Sequence, residues 1–82
     1  MTLVKAEILK NGAATYVRLT YDIPTDSGPR VVQIKIPRSA SVSATLWTKC
    51  VRNTEKRFKM EHLPRLNGTD WNIIRNDFLG VV

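Results

Sequence analysis

Lys49, Arg52, Lys56 and Lys59 recur at i, i+3, i+7 and i+10 within the stretch WTKCVRNTEKRFK. On an α-helix that spacing sets four cationic groups in one stripe about 15 Å long, at a rise of ~1.5 Å per residue. A row of that length suits roughly two or three successive phosphates of a nucleic-acid strand, with affinity drawn from the counterions released. Arg57 lies to one side of the stripe, and Asn53 and Thr45 border it as neutral donors. A long amphipathic helix must also show water a polar face, and Lys and Arg are good helix formers. What departs from an ordinary solvated face is the shortage of acids: only Glu55 to Lys59 has the favourable i,i+4 Glu-to-Lys form.

A second basic group, Lys5, Arg18 and Lys35, falls on segments that alternate like strands. Tyr16 is expected to face outward beside Lys5 and Arg18, where it is the aromatic best placed to stack on a base. Trp47 and Trp71 sit at apolar periodic positions and are assigned to the core, and Tyr21 is expected to point inward.

Catalysis needs groups that exchange protons, attack or hold a metal, arranged with partners. Cys50 and His62 are the only residues of their types, twelve positions apart, and the helical wheel turns Cys50 into the apolar arc. The seven acidic residues form no paired motif for a metal or a glycosidase site, and the four glycines are isolated, so no loop cradles a phosphate. Asn67-Gly68-Thr69 matches a glycosylation sequon formally and reads as a turn. No catalytic residue, metal site or cofactor is expected, and the chain is not read as an enzyme.

Charge is distributed unevenly. Residues 30–59 carry eight Lys or Arg and one Glu, a local charge of +7, which leaves −1 for the rest of a chain whose net charge is +6. An excess of this kind attracts phosphates, acidic proteins or anionic lipid heads. No apolar run approaches the roughly 20 residues of a membrane span, no basic-then-apolar leader opens the chain, and one cysteine fits a reducing compartment. A soluble, cytoplasmic protein is expected, with no membrane partner.

The elements that must position these groups follow from turn chemistry and periodicity. Thr2–Lys10 and Ala14–Ile23 alternate on either side of Asn11-Gly12, the sequence of a type I′ hairpin turn. A two-residue loop at that pair sets Ile8 opposite Thr15, Ala6 opposite Val17 and Val4 opposite Leu19, and so puts Lys5 opposite Arg18. Leu3, Leu9, Tyr16 and Val31 then share the outer face with these charges, and Asp22 is expected close to Lys35. Pro24 to Pro29 reads as a loop, and Arg30–Ile36 alternates again as a third strand ended by Pro37. Ser39 to Met60 carries several β-branched residues. Its periodicity nevertheless groups Ala44, Leu46, Trp47, Cys50, Val51 and Phe58 on one arc, with the basic stripe opposite. Thr69-Asp70 can cap a short second helix bearing Trp71, Ile74 and Phe78 and ended by Gly80; the rival is a fourth strand with Trp71, Ile73 and Arg75 on one face.

Residues 1–82 are thus expected to form one α+β domain, a three-stranded antiparallel β-meander packed against one amphipathic helix, with a C-terminal helix or fourth strand. That element order is similar to small DNA-reading modules that lay a three-stranded sheet in the major groove, such as integrase arm-binding and plant AP2 domains, whose motif residues do not occur here. The leading functional expectation is a non-catalytic protein that binds DNA or RNA through Lys49, Arg52, Lys56, Arg57 and Lys59, with Lys5, Arg18 and Lys35 in support. The alternative is an interaction module that docks an acidic protein, or another copy of itself through the sheet face or edge.

Overall fold

The computed structural model describes residues 1–82. Strands β1 (Thr2–Asn11), β2 (Ala14–Thr25) and β3 (Gly28–Pro37) form an antiparallel sheet in the order β1-β2-β3. A 3-10 turn, Arg38–Ser41, leads to helix α1 (Ala44–Met60), and α2 (Gly68–Val81) closes the chain. The expected α+β meander with its amphipathic helix is present, and the C-terminal element is a helix rather than a fourth strand.

The first hairpin turns one residue later than its Asn-Gly pair implies. Asn11 pairs with Ala14, leaving Gly12 and Ala13 as the loop, with Gly12 at φ 63°. Positive φ at the first central position alone is the pattern of a type II′ turn, not the expected type I′. The register therefore shifts by two: Ile8 faces Val17, Ala6 faces Leu19, and Glu7, not Lys5, faces Arg18. A shift of two leaves every side chain on its expected face while replacing a like-charge pair by an opposite one. Val4 is then extra, bulged between Leu3 and Lys5, so Leu3 pairs with Tyr21 on the inner face instead of the outer one.

The second hairpin is tighter than a six-residue loop. Pro24 pairs with Pro29 and Thr25 with Gly28, so only Asp26 and Ser27 lie outside the ladder. Pro24 lies beyond the reach of β1, whose pairing ends at Asp22, and Pro29 lies on the edge strand, so neither missing N–H is needed for a ladder.

The inner face of the sheet supplies the core. Val17, Leu19, Tyr21 and Ile23 of β2 and Val32, Ile34 and Ile36 of β3 are buried, together with Ala40, Phe58, Leu63, Leu66, Ile74 and Phe78. The two helices are joined over this layer by Trp47, whose ring meets Trp71 edge-on at 6.3 Å and stacks on Phe78 at 5.9 Å, while the guanidinium of Arg75 lies 5.5 Å from it. Tyr21 is fully buried, and its hydroxyl donates to Asp77 Oδ2 at 2.7 Å, fastening α2 to the central strand.

Side chains decide where the helices start and stop. Ser43 caps α1 by accepting from the Leu46 amide at 3.3 Å, so the helix opens at Ala44. At its C-terminus, Leu63 N–H donates to Phe58 O and His62 N–H to Lys59 O, with His62 at φ 55°. This is the Schellman arrangement with a histidine in the left-handed position that glycine usually takes, and it is locked by burial of both Phe58 and Leu63. Helix α2 is capped by Asn67 rather than by Thr69 or Asp70. Asn67 accepts from the Asp70 amide at 2.8 Å, Asp70 accepts from the Asn67 amide at 3.3 Å, and the helix runs through Gly80 to Val81.

Candidate nucleic-acid interface

The buried side of α1 is set by Thr54 and Phe58, with Leu46, Trp47, Cys50 and Val51 partly covered. The helix therefore lies as its periodicity predicts, and Lys49, Arg52, Lys56 and Lys59 are all exposed on the opposite side. None of the four has a carboxylate within 4.0 Å; the ion pairs of the protein are Lys5–Glu7 and Arg18–Glu7 alone. Even Glu55, one turn from Lys59 on the same helix, forms no ion pair.

Tertiary structure extends the stripe into a groove of about 570 Å³ between α1, the connecting loop and the start of α2. Arg52, Lys56 and Lys59 line one side with Glu55 among them, and Arg65, from the connecting loop, joins them. Phe58, Leu63, Leu66 and Trp71 supply its apolar surface. Trp71 also has a buried indole Nε1–H with no acceptor, the one such side-chain atom in the protein. An orphaned buried donor of this kind costs roughly 1–3 kcal/mol of stability.

Arg57 does something different. It reaches back to the sheet and donates to the backbone oxygen of Gln33 on β3, with its guanidinium 5.6 Å from the Phe58 ring. Although exposed, it is tied to the strand edge and is not one of the free cations of the stripe.

Lys5, Arg18 and Lys35 come together on the outer face of the sheet. Arg18 grips Glu7 with two hydrogen bonds, Nε to Oε1 at 3.0 Å and Nη2 to Oε2 at 3.1 Å, and Lys5 Nζ lies 3.5 Å from Glu7 Oε2. The Arg18 hydrogen bonds, with the positive charges of Arg18 and Lys5, hold the Glu7 carboxyl below the usual carboxylate range. Lys35 faces Arg18 across the β2–β3 pair, and its ammonium lies 4.3 Å from the centre of the Tyr16 ring, so one face of that ring is already occupied by a cation. Asp22 does not approach Lys35: it pairs with Val31, four residues along the strand, and forms no ion pair. Lys5 and Arg18 thus face away from the α1 stripe, whereas Lys35 and Tyr16 also border a cleft with Cys50, Asn53, Thr54 and Arg57 of α1 at the β3 edge.

Cys50 is half-buried, and burial pushes its thiol up, which lowers the thiolate fraction on which nucleophilicity depends. No three His, Cys, Asp or Glu residues are grouped so as to hold a metal ion. No helix is long and apolar enough to cross a membrane.

Sequence reasoning missed Arg65 and the orphaned indole. Arg65 sits alone after Pro64, and only the return of the chain toward α1 brings it to the groove. The chain matches no protein-family model, no curated protein and no solved structure.

Proposed function

We propose that this protein is a non-catalytic nucleic-acid-binding module that holds a phosphate backbone along the outward face of α1 and the groove beside it. The observation that carries this reading is the row Lys49, Arg52, Lys56 and Lys59, exposed and without a single acidic partner, with Arg65 extending it. Nearby acids normally balance a solvated helix face, and a row of four charges with only Glu55 among them raises local self-repulsion that a polyanion relieves. The lone reduced cysteine fits a cytoplasmic setting for such a protein.

Two or three phosphate contacts give a salt slope of about −2 to −3 on duplex DNA, hence a loss of roughly 10- to 40-fold in affinity between about 50 and 200 mM salt. Fluorescence anisotropy on labelled DNA and RNA, single- and double-stranded, measures this directly. Arg52→Ala with Lys56→Ala should flatten the slope by about two contacts and weaken all sequences alike. Lys5→Ala, on the far side of the sheet, should leave it nearly unchanged. Absence of binding to every probe at about 50 mM salt, where phosphate contacts are strongest, refutes the reading.

The apolar floor of the groove favours a second occupant class, an acidic protein segment with an apolar anchor. An acidic amphipathic peptide that binds with the salt dependence described, where no nucleic acid does, decides for it.

A further inference from the structure

We infer that the free edge of β1 pairs with β1 of a second copy of this chain, antiparallel about a twofold axis through Ala6, making one six-stranded sheet. This does not rest on what the α1 face binds.

The first ground is that β1 is left uncovered. Val4 is 61% exposed, Ile8 51% and Leu3 40%, whereas the inner-face residues of β2 and β3 beside them are buried. The helices reach only the margin of β1. The flank of α2 opposite its Trp71–Trp47 contact carries Ile73, which is 43% exposed. Apolar groups on a strand edge and on the helix above it form the kind of surface that another chain covers.

The second ground is the hydrogen-bonding pattern. In a two-residue hairpin the closing pair exchanges hydrogen bonds and successive pairs then alternate. Asn11 closes on Ala14, so Asn11, Leu9, Glu7 and Lys5 direct their amides and carbonyls to β2, and Lys10, Ile8 and Ala6 direct theirs to the open edge. Val4, bulged out of the β1–β2 register, has no β2 partner. The open groups thus run along Val4, Ala6 and Ile8, which is its own complement when Ala6 meets Ala6 and Ile8 meets Val4 of the other copy.

Charge complementarity selects this register. With Ala6 on the axis, Lys5 of each copy faces Glu7 of the other, twice over, and the two residues already lie 3.5 Å apart within one strand. Sliding by two residues one way sets Lys5 against Lys5, and the other way sets Glu7 against Glu7, both unfavourable like-charge pairs. A twofold axis normal to the sheet keeps both helical layers on one side and makes the contact isologous, so the assembly closes at two copies. The opposite edge cannot extend it: β3 has Pro29 and Pro37 at its ends and Arg57 on the Gln33 carbonyl.

Size-exclusion chromatography with light scattering should give a mass twice the 9.3 kDa of the chain at high concentration, falling toward one on dilution. Ala6→Pro removes only an outward N–H, so the β1–β2 ladder and the thermal melt of the monomer should survive while the dimer is lost. In a Cys50→Ser background, Lys5→Cys and Glu7→Cys chains mixed and oxidised should give chiefly the 5-to-7 mixed disulfide, a readout that does not depend on the proline variant folding. A wild-type protein that stays monomeric up to about 0.5 mM overturns the inference, as does a folded Ala6→Pro protein that remains dimeric. Preference for 5-to-5 or 7-to-7 disulfides overturns the register and with it the axis.

Discussion

The two edges of the sheet are built from strands of equal length and similar alternation, and they end in opposite situations. On β3, Val32, Ile34 and Ile36 are buried under the helices, prolines flank the strand, and Arg57 occupies an outward carbonyl. On β1, Ala6 and Ile8 occupy the same inner face, yet both are exposed and no side chain hydrogen-bonds to the strand's backbone. The difference teaches that alternation assigns a face and not its burial. Two helices of 17 and 14 residues cover only two strands, and the third is left for other contacts.

Truncation of matched residues should break that comparison most plainly. Ile34→Ala should cost about 2–5 kcal/mol, because a fully buried side chain leaves a cavity that its neighbours fill only partly. Ile8→Ala, at half exposure, should cost less than about 1 kcal/mol when measured by urea unfolding of the monomer. Equal losses would mean that β1 is covered after all.

The seating of α2 decides how far cover extends, and Tyr21 controls that seating. Tyr21→Phe leaves the Asp77 carboxylate without its donor and should cost about 1–2 kcal/mol in a thermal or urea melt. Burial, reinforced by the Asp77 charge and hydrogen bond, pushes the Tyr21 phenol far above its ordinary range. A group held protonated in the fold and free to ionise when unfolded gives full stability below its unfolded pKa, near 10, and loses it as pH rises beyond. Tyr21 ionisation should therefore appear by tyrosinate absorbance only together with alkaline unfolding, and Tyr21→Phe should flatten that limb.

Arg57→Ala opens the sealed edge. The loss of one exposed hydrogen bond to Gln33 O should lower stability by roughly 0.5–1 kcal/mol. It should also raise amide exchange along β3 toward that of β1, which hydrogen–deuterium exchange by NMR reads strand by strand.

The smallest effect belongs to Glu7, on the open strand. Its carboxyl is held low by Arg18 and Lys5, so its contribution is present above the unfolded carboxylate range and disappears as pH falls through the lower folded value. Glu7→Gln should flatten the acid limb of a plot of Tm against pH without moving the neutral plateau greatly. A steep acid limb that survives the substitution would assign that dependence to another carboxylate.

Local chemistry made much of this molecule legible. Alternation and turn residues were enough for three strands in one meander, and the 3.6-residue period was enough to separate Trp47 and Phe58 from Lys49, Arg52, Lys56 and Lys59 along a single stretch. These patterns depend on neighbours a few positions away, so they are complete in the sequence itself. The C-terminal segment was ambiguous because Trp71, Ile73, Ile74 and Phe78 satisfy either period; packing of Trp71 and Phe78 on Trp47 and the Asn67–Asp70 capping box resolve it as a helix.

Tertiary structure decided the rest, and in each case the deciding partner was far along the chain or a matter of register. A two-residue slip of the first hairpin is invisible to alternation, since it moves no side chain between faces, yet it exchanges a Lys5–Arg18 repulsion for the Glu7–Arg18 grip. Arg57 left the basic row for Gln33, 24 residues away, and Arg65 entered it across a loop. The width of the helical layer left β1 uncovered. Charge type and periodicity are properties of a segment, whereas which cations stay free, and which strand edge stays open, are properties of how segments meet.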